Sequence, residues 1–114
     1  MEDCLFCKIN QGEIPSEKVY DGEQVFAIQD INPQAPVHLL IIPKKHYSTI
    51  LEIEEKDHDL IGTIFTVAIE LAQERKLDQS GFRVVVNCGA EAGQSVFHIH
   101  YHLLGGRPMR WPPG

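Results

Sequence analysis

The sequence predicts an α+β domain, with one long helix laid against a sheet of short strands. Three observations carry this. First, apolar residues recur at helical spacing through Leu60, Ile61, Ile64, Phe65, Ala68, Leu71 and Ala72, the stripe of a helix with one buried face. Second, short apolar segments at 18–20, 25–28, 38–43 and 82–87 are set apart by Gly, Pro and Asp signals. Third, over 98–103 three histidines alternate with Ile99, Tyr101 and Leu103, which is the period-two pattern of a strand.

The 114 residues suit one domain, 1–114, with a core large enough to need no staples. Hydrophobic residues make up 43% and charged residues 23%, ordinary for a soluble globular chain. A net charge of −6 argues against a nucleic-acid backbone as partner. No apolar run reaches membrane-spanning length, and the first residues, with Glu2 and Asp3, have no signal-peptide character. Three cysteines, an odd count, fit a reducing compartment better than a disulfide framework. The expected location is the cytoplasm.

In chain order, Cys4-Leu5-Phe6-Cys7-Lys8-Ile9 reads as a short helical turn. Its Cys-x-x-Cys has three readings: a redox pair, which would normally follow a strand; a plain buried pair; or half of a zinc site lacking two ligands. A loop with Gly12 and Pro15 leads to the strand at 18–20, and Asp21-Gly22 signals a hairpin into 25–28. Asp30 ends that strand, placed either to accept from ribose hydroxyls or to make an Asx turn before Asn32-Pro33. Pro33 and Pro36 stiffen the next connection, and the run at 38–43 has the continuous apolarity of a central buried strand. The helix should run from about 54 to 76, with Glu54, Glu55 and Asp57 at its positive end and Arg75 and Lys76 at its negative end. The strand at 82–87 closes on Asn87 and should pair antiparallel with the histidine strand across the 88–95 loop.

The histidine row organises the rest. On a strand His98, His100 and His102 would share one face, about 6.5 Å apart per step. Neutral imidazoles so close disfavour charging one another. Two chemistries suit them: metal ligation, or a histidine nucleophile tuned by its neighbours. Gly93-Gln94-Ser95 just before the row offers close backbone approach, loop amides and a hydroxyl, a setting for a phosphate rather than a bare metal.

The segment His98-Ile99-His100-Tyr101-His102-Leu103-Leu104 resembles the signature of the histidine triad (HIT) superfamily. The stretches 30–38 and 42–46, and the tail 105–114, resemble its nucleotide-binding (Hint) branch. The resemblance spans nearly the whole chain. It implies a HIT-like fold: an antiparallel five-stranded sheet, one long helix, a short N-terminal helix and a two-fold homodimer. It implies a structural zinc held by Cys4, Cys7, His46 and His98, with no catalytic metal. It places His100 as nucleophile, with His102, His98, His38 and Ser95 as its catalytic neighbours and His38 as a proton relay to the middle histidine. Asp30, Ile31, Asn87, Gly93, Gln94, Ser95, His100 and His102 would bind nucleotide, and Trp111 would reach from the tail toward the other subunit. Ile14, Phe26 and Ile28 would wall the base, unless they are simply core.

The activity implied is hydrolysis of a purine nucleoside phosphoramidate through a nucleotidyl-histidine, releasing AMP or GMP and an amine. Two alternatives stand within the superfamily or beside it: dinucleoside polyphosphate hydrolysis or nucleotidyl transfer, and a nucleotide-binding interaction module with incidental catalysis. A hydrolase that uses the row as metal ligands is a further reading.

Overall fold

In the computed structural model, which describes residues 3–114, five strands form one antiparallel sheet in the order β1-β2-β3-β5-β4. The strands are β1 (Lys18–Asp21), β2 (Val25–Gln29), β3 (Val37–Pro43), β4 (Phe82–Val86) and β5 (Tyr101–Gly105); the helices are α1 (Leu5–Asn10), α2 (His58–Glu74) and α3 (Leu77–Ser80). The hairpin at Asp21-Gly22 closes with the Gly22 N–H donating to the Val25 carbonyl at 2.8 Å.

Alternation in the central strands divides the apolar residues between two faces. Val25, Ala27, Leu39, Ile41, Tyr101 and Leu103 face α2 and join Leu60, Ile64, Val67, Ala68, Leu71 and Ala72 in the main core. Each fully buried Val, Leu or Ile among them contributes about 1.5–3 kcal/mol of transfer free energy. Phe26, Ile28, Leu40 and Ile42 face the other way and form a second, smaller core with Cys4, Phe6, Cys7 and Ile9 of the α1 segment. The short helix therefore covers the sheet face that α2 leaves open, and the histidines lie on that face.

Two elements differ from the expectation. The long helix begins at His58, because Glu54 and Asp57 form a capping box around a separate 3₁₀ turn, Glu55–Asp57. It ends at Glu74 because Lys76 takes a left-handed φ of 60° and starts the short α3. The histidine strand begins at Tyr101 rather than at His98. β3 pairs with β5 as far as Ile41 with Tyr101; two residues further along β3, Pro43 has no N–H to give a ladder. The Ile99 N–H donates instead to the Tyr47 carbonyl at 2.8 Å. Side-chain alternation survives this loss of pairing: Ile99 is buried in the main core with Tyr101 and Leu103.

α2 also carries a second apolar stripe. Phe65 and Ile69 are about half exposed, and Phe82 on the edge strand β4 is exposed as well. Among the described residues no helix is long and apolar enough to cross a membrane.

Candidate active site and metal centre

The three histidines of the row have different surroundings. His98 is fully buried. Its Nε2 lies 2.7 Å from the Pro43 carbonyl. A carbonyl can only accept, so Nε2 carries the proton and Nδ1 keeps its lone pair. That lone pair faces Cys4 Sγ at 3.2 Å, Cys7 Sγ at 3.6 Å and His46 Nδ1 at 3.1 Å, and Cys7 Sγ lies 3.4 Å from His46 Nδ1.

These four side chains, all but His46 buried, have donor atoms within 4.8 Å of one another and could hold a metal ion. A zinc tetrahedron with arms near 2.3 Å to sulfur and 2.0 Å to nitrogen has edges of about 3.3–3.8 Å. The observed spacings match that size, and the Pro43 carbonyl supplies the outer hydrogen bond that orients a ligating imidazole. Four protein ligands leave no open position, which marks a structural site. Burial and the neighbouring Cys4 push the Cys7 thiol above its ordinary value, so a metal taken up here must displace protons.

His100 is also buried, and its Nδ1 lies 2.8 Å from the carbonyl of His98. By the same logic Nδ1 is the protonated nitrogen and Nε2 bears a free lone pair. The residue whose ring belongs to the metal cluster thus orients the next histidine through its backbone. Phe6, between the two cysteines, stands edge-on to both rings, 5.1 Å from His100 and 5.8 Å from His98 between centroids.

His102 lies on the same face of the sheet, level with Leu40 of β3 and Val85 of β4. Its Nδ1 is 2.9 Å from His38 Nε2. This corrects the expectation that His38 meets the middle histidine: in the register, His38 pairs with Leu104, so its diagonal neighbour is His102. Burial, followed by the neighbouring His100 and His38, lowers the His102 pKa to about 4. Burial also lowers His38, against the attraction of Asp30. His102 is therefore neutral near pH 7.

Asp30 makes the expected Asx turn and also contacts His38. One oxygen accepts from the Asn32 N–H at 2.9 Å, an Asx turn, and the other lies 3.4 Å from His38 Nε2. Asp30, His38 and His102 form a second group of metal-ligating type. Their hydrogen bonds speak against a metal there, because the Gln34 N–H donates to His38 Nδ1 at 3.0 Å and so leaves the proton on Nε2, the atom that would have to bind.

The 88–95 loop is tightly organised. Gly89 and Gly93 have φ of 89° and 93°, left-handed values that favour glycine. Gln94 is buried and fully engaged: it accepts from the Gly89 N–H at 2.9 Å and donates to the Ser48 and Val96 carbonyls at 2.7 and 3.1 Å. Its side chain holds the loop, whereas Gly93 and Ser95 beside it are exposed. Ser95 also lines a hollow of about 520 Å³ with Cys4, His46 and Phe97. Asn87 follows the last paired residue of β4, Val86, which faces Tyr101, so Asn87 and His100 flank the end of that ladder.

Phe26 and Ile28 are buried members of the second core, with Ile14 partly buried against it; Ile31 is fully exposed. Trp111 is 83% exposed and carries the Arg83 guanidinium 5.9 Å from its ring centre. Sequence reasoning missed Phe6 and the Gln34 amide as parts of the site. The first was hidden between two cysteines; the second is a backbone group with no sequence signal.

The geometry has close counterparts. A model of the HIT domain matches residues 11–109. A HIT family hydrolase from Legionella pneumophila superimposes with a TM-score of 0.96 at 53% identity, over 98% of this chain and all of the other. A histidine triad protein from Clostridium difficile gives 0.92 at 48%, over 96% of each chain. A 14 kDa zinc-binding protein of Brassica juncea is 46% identical over 114 residues, 98% of this chain and 100% of the relative.

Proposed function

The chain belongs to the HIT domain family, and from that premise and the site geometry we propose that it is a purine nucleoside phosphoramidate hydrolase with His100 as nucleophile. The observation that carries the proposal is the His98 carbonyl holding the His100 Nδ1 proton. It leaves Nε2 with its lone pair free and its ring direction fixed, the two needs of a nucleophilic imidazole.

In the first step His100 Nε2 bonds to the α-phosphorus and the P–N bond breaks. The electron pair of that bond leaves on nitrogen, which takes a proton from solvent because an amine departs poorly as an anion, while the His102 Nε2–H donates a hydrogen bond toward the leaving nitrogen. Water then attacks the nucleotidyl-histidine and releases AMP or GMP, and its proton returns to solvent. Loop amides near Gly93 and the Ser95 hydroxyl are the donors for phosphate oxygens. Asp30 and Asn87 serve the ribose or phosphate, and exposed Ile31 serves the sugar and base. Phe26, with no exposed surface, backs the base wall rather than touching the base.

The metal centre is read as zinc on Cys4, Cys7, His46 and His98, a scaffold that fixes α1 and the His98 ring. The donor set supports this. A two-fold homodimer is part of the same reading. Its support is three exposed apolar side chains, Phe65 and Ile69 on α2 and Phe82 on the edge strand β4, with Trp111 exposed over Arg83 of that strand. A cytoplasmic setting fits three free cysteines, Cys4, Cys7 and Cys88.

The test is His100→Ala assayed on an adenosine phosphoramidate. The expected result is loss of turnover with nucleotide binding retained. Undiminished turnover overturns the assignment, and a wild-type protein that binds AMP but hydrolyses no phosphoramidate favours a binding module instead.

A further inference from the structure

Three polar groups line up behind the reacting histidine: the Gln34 amide, His38 and His102. The geometry points to His38 as a tautomer lock and not a proton shuttle, with the Gln34 backbone N–H as the group that sets it; this rests on the hydrolase reading for its catalytic consequence.

The inner end of the row fixes the rest. A backbone amide never accepts, so His38 Nδ1, 3.0 Å from the Gln34 N–H, must be the bare nitrogen. In the neutral ring the proton is then on Nε2. That proton is donated to His102 Nδ1 at 2.9 Å, with Asp30 at 3.4 Å on the same side. His102 Nδ1 is thereby an acceptor, and its own proton is forced onto Nε2, the nitrogen directed away from His38. One amide fixes two imidazoles in sequence.

The chain runs one way. A shuttle needs a ring that takes a proton at one nitrogen while releasing one at the other. His38 cannot do so, because its outer nitrogen is already occupied by an N–H donor. The His102 Nε2–H therefore stays in place as a hydrogen-bond donor toward the reacting side, and no proton passes through His38. The lock has its own support. Arg107 Nε donates to the Gln34 carbonyl at 2.9 Å, and Gly106, with φ of 94°, brings the chain so close to Pro36 that a Cβ there would lie 2.9 Å from the ring. The 33–36 segment that presents the amide is thus held from the end of β5.

Two measurements test this. Long-range ¹H–¹⁵N correlation on the full-length protein at neutral pH reads each ring nitrogen directly. The expected pattern is Nε2 protonated and Nδ1 bare on both His38 and His102; a proton on His38 Nδ1 overturns the lock. Gln34→Ala keeps the amide and should keep that pattern. This arm uses no substrate, so its outcome is independent of the hydrolase reading. The second arm compares His38→Gln, whose amide can donate but not shuttle, with His38→Ala. A lock predicts that His38→Gln keeps kcat within about tenfold of wild type while His38→Ala falls about a hundredfold, with KM little changed in both. Equal loss in the two variants overturns it.

Discussion

Cutting Phe6 back to alanine separates the second core from the first and tests how the nucleophile is held. Phe6 is 3% exposed and lies among Phe26, Ile28, Leu40 and Ile42 while its ring edges meet His98 and His100 at 5.8 and 5.1 Å. Removing a buried Phe costs about 3–5 kcal/mol, which for a chain of this size lowers Tm by about 12–20 °C. Phe6→Leu keeps most of the apolar volume but loses two edge contacts worth about 0.5–1.5 kcal/mol each, and should cost about 1–3 kcal/mol. Its effect on chemistry should exceed its effect on stability. Without the ring edge His100 keeps its Nδ1 bond and its contact with His102 but loses a wall that fixes its tilt, and misplacement of about 1 Å costs up to a hundredfold in rate. Urea unfolding and steady-state hydrolysis by the metal-loaded variants read both quantities. Phe6→Leu with wild-type kcat, or Phe6→Ala destabilised by under about 1 kcal/mol, would refute the reasoning.

Three further outcomes follow from the same structure. Gln94→Ala removes a buried amide with three hydrogen bonds; a loss of about 1–3 kcal/mol and a raised KM are expected by denaturation and kinetics. Stability should fall with acidification between pH 6.5 and about 4: His102 stays neutral in the folded state while the unfolded chain takes up its proton, so the unfolded state binds more protons and is favoured as pH drops. Urea midpoints at pH 7 and 5 should differ less for His102→Asn than for wild type. Chelation should lower Tm and loosen α1 while hydrolysis persists at a reduced rate; complete and immediate loss of activity on chelation would indicate a metal directly in the chemistry.

Much of this was legible in the residues. The five strands fall within one residue of their expected limits in four cases, because apolar alternation and turn residues mark them directly. The fifth began late because a proline on the neighbouring strand removed a ladder partner, a matter of register that no single segment displays. α3 escaped notice because Leu77-Asp78-Gln79-Ser80 offers one apolar residue and no period. Phe65 belongs to the helical stripe by spacing and packs edge-on to Tyr101 at 5.9 Å between ring centres, yet it stays 43% exposed at the rim of the core.

In the site, residue type was informative and partnership was not. The Cys-x-x-Cys pair suggests a metal, but the 39 residues between Cys7 and His46 carry no signal, and only the family pattern pointed to the other two ligands. Gln94 in a glycine loop reads as a ligand-binding residue; its side-chain amide ties Gly89 to Ser48 and Val96, a partnership with no sequence signal. The partner of His38 depended on strand register, and the amide that fixes its proton depended on the fold of 33–36.

The central claim is that His100 Nε2 becomes bonded to phosphorus. Rapid acid-free quenching of the enzyme during turnover of an adenosine phosphoramidate, followed by mass spectrometry of the peptide spanning 98–102, tests it most directly. The account predicts an added AMP moiety on His100 that disappears in His100→Ala. Turnover with no adduct on that peptide, or an adduct on another residue, would contradict it.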